Sequence, residues 1–287
     1  MAERIDAHQH FWLYDSSEYS WITEKMRSLQ RHFLPEDLVP ELKAHGIAGT
    51  IAVQARQTVA ETEWLLSLAE SNSSIAGVVG WMPLCSETLD HQLDGLRHVP
   101  WLKGLRHVLQ DEPTDELMTS EPFQQGLRVL TRRNLVYDLL IYERQLASVL
   151  ALVAQHPHQV FVLDHIGKPC IADRSIEPWS KHLHELARHP NVFCKLSGMV
   201  TEADWTTWSP TQLRPYFDVV LEAFRPERIM FGSDWPVCLL AASYSDWFGT
   251  VEEWTTALSH DEQSALFGGT AKRVYKLNNT PILKGEL

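Results

Sequence analysis

Eight short apolar runs rich in β-branched residues recur along the chain, separated by stretches in which apolar residues return every three or four positions. The first pattern predicts buried strands and the second amphipathic helices, and their alternation predicts βαβ units around a parallel sheet. The runs fall at Arg4–His10, Gly46–Arg56, Ile75–Leu84, Leu102–Gln110, Leu135–Tyr142, Gln159–Lys168, Val192–Met199 and Arg228–Pro236.

Helix punctuation supports the intervening segments. Thr58 with Glu61, and Ser259 with Glu262, fit capping boxes. Pro35 opens a helix carrying Leu38 and Leu42 that stops at Gly46, and an apolar helix over Glu143–His156 ends before Pro157. Trp64, Trp179 and Trp254 fall in helical patterns and read as packing residues.

Eight strands favour a closed (β/α)8 barrel of the TIM type over an open doubly wound sheet, because no G-x-G-x-x-G follows the first strand. The 287 residues suit one such barrel. The expected organisation is a single domain over residues 1–277 and a loose tail over 278–287. The long connection Phe11–Phe33, with Trp12, Tyr14, Tyr19 and Trp21, leaves the carboxyl end of the first strand and reads either as a lid or as rim packing.

Charge narrows the partners. With 37 acidic against 25 basic residues the formal charge is −12, which disfavours nucleic acid and anionic membrane surfaces and leaves a small molecule as the expected partner. Cys85, Cys170, Cys194 and Cys238 stand far apart and read as reduced thiols. No signal-peptide core follows Met1 and no run approaches the ~18 apolar residues of a membrane span, so a cytoplasmic protein is expected. The sequence does not set an oligomeric state.

The chemistry concentrates at three strand ends. In Asp6-Ala7-His8-Gln9-His10, strand alternation projects the two histidines together at the barrel mouth, where both can meet one ion. An isolated H-x-H is also compatible with ordinary hydrogen-bonding histidines. Asp164-His165 closes the sixth run and Ser233-Asp234-Trp235-Pro236 the eighth, and polar groups at buried strand ends need an ion or hydrogen bonds to compensate them.

These motifs, D-A-H-Q-H-F-W, G-L-R-H, D-H-I-G-K-P, K-L-S-G-M and F-G-S-D-W-P, together resemble the amidohydrolase superfamily, and within it the sugar-lactonase branch that includes L-fuconolactonases and L-rhamnonolactonases. The resemblance implies a hydrolase of carbohydrate metabolism that opens a small sugar lactone. It implies that His8, His10, His165 and Asp234 surround one divalent cation, zinc by expectation, or the substrate carbonyl directly, with Asp234 as general base. Arg106 and His107 stand where binuclear relatives carry a bridging lysine or glutamate, and the fifth strand lacks a histidine. One metal at most is therefore expected, and hydrolysis without metal stays open.

For substrate binding the candidates are Arg106, His107, Gln54, Arg56, Trp81, Trp12, Trp235 and Lys195. Arg106 and His107 are adjacent on a strand, so alternation aims them to opposite faces. Lys195 reads more strongly as an internal partner of Asp138 or Asp164 than as a substrate contact. Two other functions compete: a metal-dependent non-oxidative decarboxylase of the same superfamily, and a non-catalytic sugar-binding barrel with a structural ion. A serine hydrolase is disfavoured because the chain has no G-x-S-x-G.

Overall fold

The apolar runs form eight strands: β1 (Arg4–Gln9), β2 (Ile47–Val53), β3 (Ile75–Gly80), β4 (Leu102–Val108), β5 (Val136–Leu140), β6 (Phe161–Leu163), β7 (Val192–Leu196) and β8 (Ile229–Phe231). Each lies parallel to its neighbour in sequence, in the order β1 to β8. This computed structural model describes residues 3–96 and 99–277, so the expected tail at 278–287 lies outside the described residues.

The ring closes at the carboxyl ends of the first and last strands. Asp234 N donates to His8 O at 2.8 Å and His10 N donates to Trp235 O at 2.6 Å. The chain is a (β/α)8 barrel, as the strand count predicts.

Side-chain alternation sorts the apolar residues onto two faces. Ile5, Ala7, Ile51, Val53, Val79 and Val162 fill the inside with Tyr275 and Leu277 from the end of the described chain. The opposite face packs against helices: Leu65 and Leu66 of the helix Val59–Ser71, and Val149 and Val153 of Leu146–Gln155, are buried there. Each such side chain contributes about 1.5–3 kcal/mol of transfer free energy.

The helix starts follow the punctuation with one departure. Ser259 and Glu262 cap each other reciprocally. Thr58 accepts from Glu61 N at 3.2 Å, but the Glu61 carboxylate turns instead to the amides of Ala55 (3.0 Å) and Arg56 (2.7 Å). Two aligned amides in the turn after β2 outcompete the single one at the helix start, so half of that box is replaced by a loop brace. Pro35 opens the helix Pro35–Ala44, and the apolar segment after Tyr142 begins as one 3-10 turn before Leu146–Gln155.

The connection after β1 is drawn down at its ends by paired amides and carbonyls of Trp12 and Phe33, at 3.0 and 2.9 Å. Its aromatics interlock: Trp12 packs on Tyr19, Trp21 and Phe33 at centroid distances of 5.9, 5.7 and 5.3 Å. All four cysteines are free thiols, and no described helix is long and apolar enough to cross a membrane.

Candidate active site

β1 carries a bulge where the chemistry begins. Asp6 pairs with Thr50 and Gln9 with Ala52, so β1 advances three residues while β2 advances two. A bulge re-aims side chains. His8 and His10 converge, with their Nε2 atoms 3.1 Å apart. Asp6, which strict alternation would aim with them, instead accepts from the amides of His8 (3.1 Å) and Ser233 (2.9 Å) and from the Tyr244 hydroxyl (3.2 Å). It ties β1 to the segment after β8.

Asp234 completes a triangle with the histidines. Its Oδ1 lies 3.3 Å from His10 Nε2 and 3.7 Å from His8 Nε2. The backbone at Asp234 is left-handed (φ 58°), which turns the carboxylate off the strand line toward the mouth. His10 Nδ1 is 2.8 Å from the Val53 carbonyl, which can only accept, so the ring carries its proton there. His8 Nδ1 lies 3.3 Å from Asp164 Oδ1, out of line for a hydrogen bond, and the neighbouring carboxylate favours its proton on that side. Both Nε2 lone pairs therefore point at a carboxylate oxygen.

Three acceptors facing one another, offset only by a long 3.5 Å contact from Arg106 Nη1 to His8 Nε2, favour a cation among them. Tetrahedral ligands ~2.0–2.2 Å from zinc stand ~3.3–3.6 Å apart, and the observed edges bracket that range. The donor set fits a divalent ion. His165 stands against His8, with ring centroids 4.5 Å apart, and joins His8 and Asp164 in a second group whose ligand atoms lie within 4.8 Å of one another.

His165 is placed by an unusual turn. The sixth run is expected to continue as strand to Lys168, but β6 ends at Leu163, and His165, Ile166, Gly167 and Lys168 are all left-handed (φ 53°, 52°, 76° and 47°). Non-glycine residues in this region cost about 1–3 kcal/mol each, so surrounding contacts hold the turn. His165 Nδ1 is 3.0 Å from Ser197 Oγ.

Beneath the histidines lies a buried charge network. Arg106 reaches Asp164 Oδ2 at 2.9 Å and Gln54 Oε1 at 2.9 Å. Lys195 pairs with Asp138 and lies 3.0 Å from Asp164 Oδ1, and the Tyr275 hydroxyl donates to Asp138 at 2.9 Å. Two cations and two carboxylates thus compensate one another away from water.

The surroundings set the charges. Burial, reinforced by Lys195 and His165, holds His8 well below the usual imidazole range despite Asp164. Burial likewise brings His165 down to about 4. Burial pushes the Asp234 carboxyl up, but the imidazoles of His165, His10 and His8 outweigh it and hold it below the ordinary carboxylate range. Neutral His8 and His165 beside an anionic Asp234 are protonation states suited to a cation.

A cleft of about 650 Å³ opens above this centre, lined among others by His10, His165, Asp234, Arg106, Gln54 and Arg56. Five other candidate binding residues lie elsewhere. His107 faces away from the cleft, as alternation demands, and bonds Glu112 at 2.7 Å. Trp81 donates to His107 Nδ1 at 3.3 Å outside the cleft. Trp12 is fully buried in the aromatic rim, and Trp235 packs on Phe11 and Phe33 while Val237 and Leu240 supply the wall. Lys195 is fully buried because its two aspartates hold it inside the barrel.

Several cleft residues have no counterpart among the candidates. Tyr142 at the end of the fifth run could have been reached by the topological argument that singled out Gln54. Trp21, Trp205 and Glu202 come from loops and a short helix whose course no periodicity encodes. Asp164 was legible as a polar group ending the sixth run and as a possible partner of Lys195, not as the carboxylate beside His8.

Comparison with known proteins agrees with this architecture. A protein of Burkholderia multivorans named L-fucono-1,5-lactonase is 45% identical, over 96% of this chain and 97% of that one. Its namesake from Burkholderia ambifaria is 36% identical over 97% of each. A crystal structure of a Burkholderia multivorans amidohydrolase with bound zinc superposes with a TM-score of 0.93 at 46% identity, covering 96% of this chain and 99% of that one. A 2,6-dihydroxybenzoate decarboxylase from Rhizobium shares the fold, with a TM-score of 0.66 at 14% identity. Amidohydrolase sequence features match residues 5–277, spanning every strand and all the residues that converge here, and the chain belongs to the amidohydrolase family.

Proposed function

We propose that the chain hydrolyses a small sugar lactone, L-fucono-lactone or a related aldonolactone, to its hydroxy acid. The observation that carries this reading is the convergence of His8 Nε2, His10 Nε2 and Asp234 Oδ1 as three acceptors, with His10 and Asp234 lining an open cleft. Relatives at 45% and 36% identity named L-fucono-1,5-lactonase support the substrate class.

His8, His10 and Asp234 would hold one divalent ion, zinc in the reading supported by the N/O donor set, with His165 beside them. Such an ion supplies Lewis-acid polarisation of a carbonyl and lowers the pKa of a bound water.

The protein's own groups complete the chemistry. Asp234 Oδ1 faces the imidazoles, which leaves its second oxygen to take the proton of a water as the water oxygen bonds to the lactone carbonyl carbon. As the ring C–O bond breaks, the same carboxyl returns that proton to the departing alkoxide. Arg106 and Gln54, fixed to each other, present fixed hydrogen-bonding groups toward the substrate oxygens.

The test is acid release from L-fucono-1,5-lactone by the purified, metal-loaded protein, run beside carbon dioxide release from aromatic carboxylates. Acidification by the lactone alone is expected. Decarboxylation without lactone opening would assign the chain to the other branch, and neither reaction would leave a sugar-binding barrel.

A further inference from the structure

Lys168 and Glu202 form a loose ion pair on the cleft wall, with donor and acceptor capacity to spare. Lys168 Nζ and Glu202 Oε1 form an ion pair at 3.5 Å, at the outer limit of hydrogen-bonding distance, and among the described residues neither side chain has a shorter polar contact. Lys168 Nζ also lies 5.4 Å from the ring centre of Tyr142. Both side chains are largely shielded, 16% and 22% exposed, and both line the cleft that holds Asp234.

Their anchoring is shared with His165. Lys168 ends the left-handed turn that begins at His165, and its amide donates to the His165 carbonyl at 2.8 Å. Glu202 ends the one-turn helix Met199–Glu202, which starts at Gly198 against the His165 ring. A strained turn sustained this close to a reaction centre is a functional outlier.

We infer that Lys168 and Glu202 form a subsite for a vicinal diol of the substrate ring, which deepens the lactonase reading and rests on it. A hydroxyl both donates and accepts, so one can donate to the Glu202 carboxylate while its neighbour accepts from the Lys168 ammonium. An unsubstituted lactone fills neither group. The pair therefore selects polyhydroxylated lactones over alkyl ones, because an analogue that lacks the hydroxyls displaces cleft water from both groups and returns no hydrogen bond.

The measurement is the ratio of kcat/KM for L-fucono-1,5-lactone to that for δ-valerolactone. In Lys168→Met and in Glu202→Gln this ratio should fall about 10- to 100-fold, mainly through KM for the sugar lactone, and Lys168→Arg should restore most of it. An unaltered ratio in Lys168→Met and Glu202→Gln, with wild-type melting temperatures, overturns the subsite; should one variant not fold, the other decides. If the wild type opens no lactone, the lactonase reading fails separately, and calorimetric titration with L-fuconate and 5-hydroxypentanoate judges the subsite. Tighter wild-type binding of L-fuconate, lost in Lys168→Met, sustains it; equal affinities, or affinity retained in Lys168→Met, overturn it.

Discussion

Gly198 is seated directly on the His165 imidazole: a Cβ at position 198 would fall 2.5 Å from His165 Nδ1 and 2.6 Å from its Cγ. The residue is also left-handed, φ 66°, where any L side chain is strained. Gly198→Ala should displace the ring, lower kcat by about 100-fold and cost about 1–3 kcal/mol of stability. Steady-state kinetics with urea denaturation checks this, and wild-type turnover would show that His165 tolerates movement.

Asp234→Asn keeps the side-chain shape and removes the base. With its carboxyl held anionic in the wild type, kcat for lactone opening should drop about 10²- to 10⁴-fold. Metal content, measured in parallel, separates loss of the base from loss of the ion. Undiminished turnover would remove Asp234 from the chemistry.

Asp164 orients His8 and balances Arg106 and Lys195. Asp164→Asn should weaken metal affinity about 10- to 100-fold, read by competition with a chromophoric chelator. It should also destabilise the fold by about 3–5 kcal/mol, because two buried cations lose a partner. Unchanged affinity would mean that His8 needs no support from that side.

Prolonged dialysis of the wild type against a strong chelator should abolish most lactone opening, and readdition of zinc should restore it. Full activity in metal-free protein would assign carbonyl activation to the side chains alone.

Glu61 gives a pH signature in stability. Burial pushes its carboxyl from 4.5 up to about 7, against the amides of Arg56 and Ala55. Between those values the folded chain holds a proton that the unfolded chain has released, so this contribution is greatest below pH 4.5, declines up to about pH 7 and is flat above. The full change is about 3 kcal/mol. The stability difference between wild type and Glu61→Gln, followed by urea titration from about pH 5 to pH 8, should vary over that window; a constant difference would show that Glu61 titrates normally.

The barrel was legible because buried parallel strands leave unbroken apolar runs, and β2, β3 and β5 lie within the stretches their composition marks. His8, His10, His165 and Asp234 were legible as polar residues ending such runs. What escaped depends on backbone handedness and register. No local pattern distinguishes the left-handed turn of His165–Lys168 from continued strand, or announces the bulge that turns Asp6 outward. The tryptophans misled because indole serves rim packing as well as sugar binding: Trp12 and Trp235 were spent on packing, while Trp21 and Trp205, carried by loops, reached the cleft.

At the carboxyl ends of β1 and β8 the barrel is closed by amide hydrogen bonds from Asp234 and His10, the residues whose side chains would hold the proposed metal. Parting of the first and last strands at that end would therefore scatter the ligands in the same motion. Any fraying of the ring must be silent toward substrate, and amide exchange at Asp234 and His10 should slow together when the metal binds.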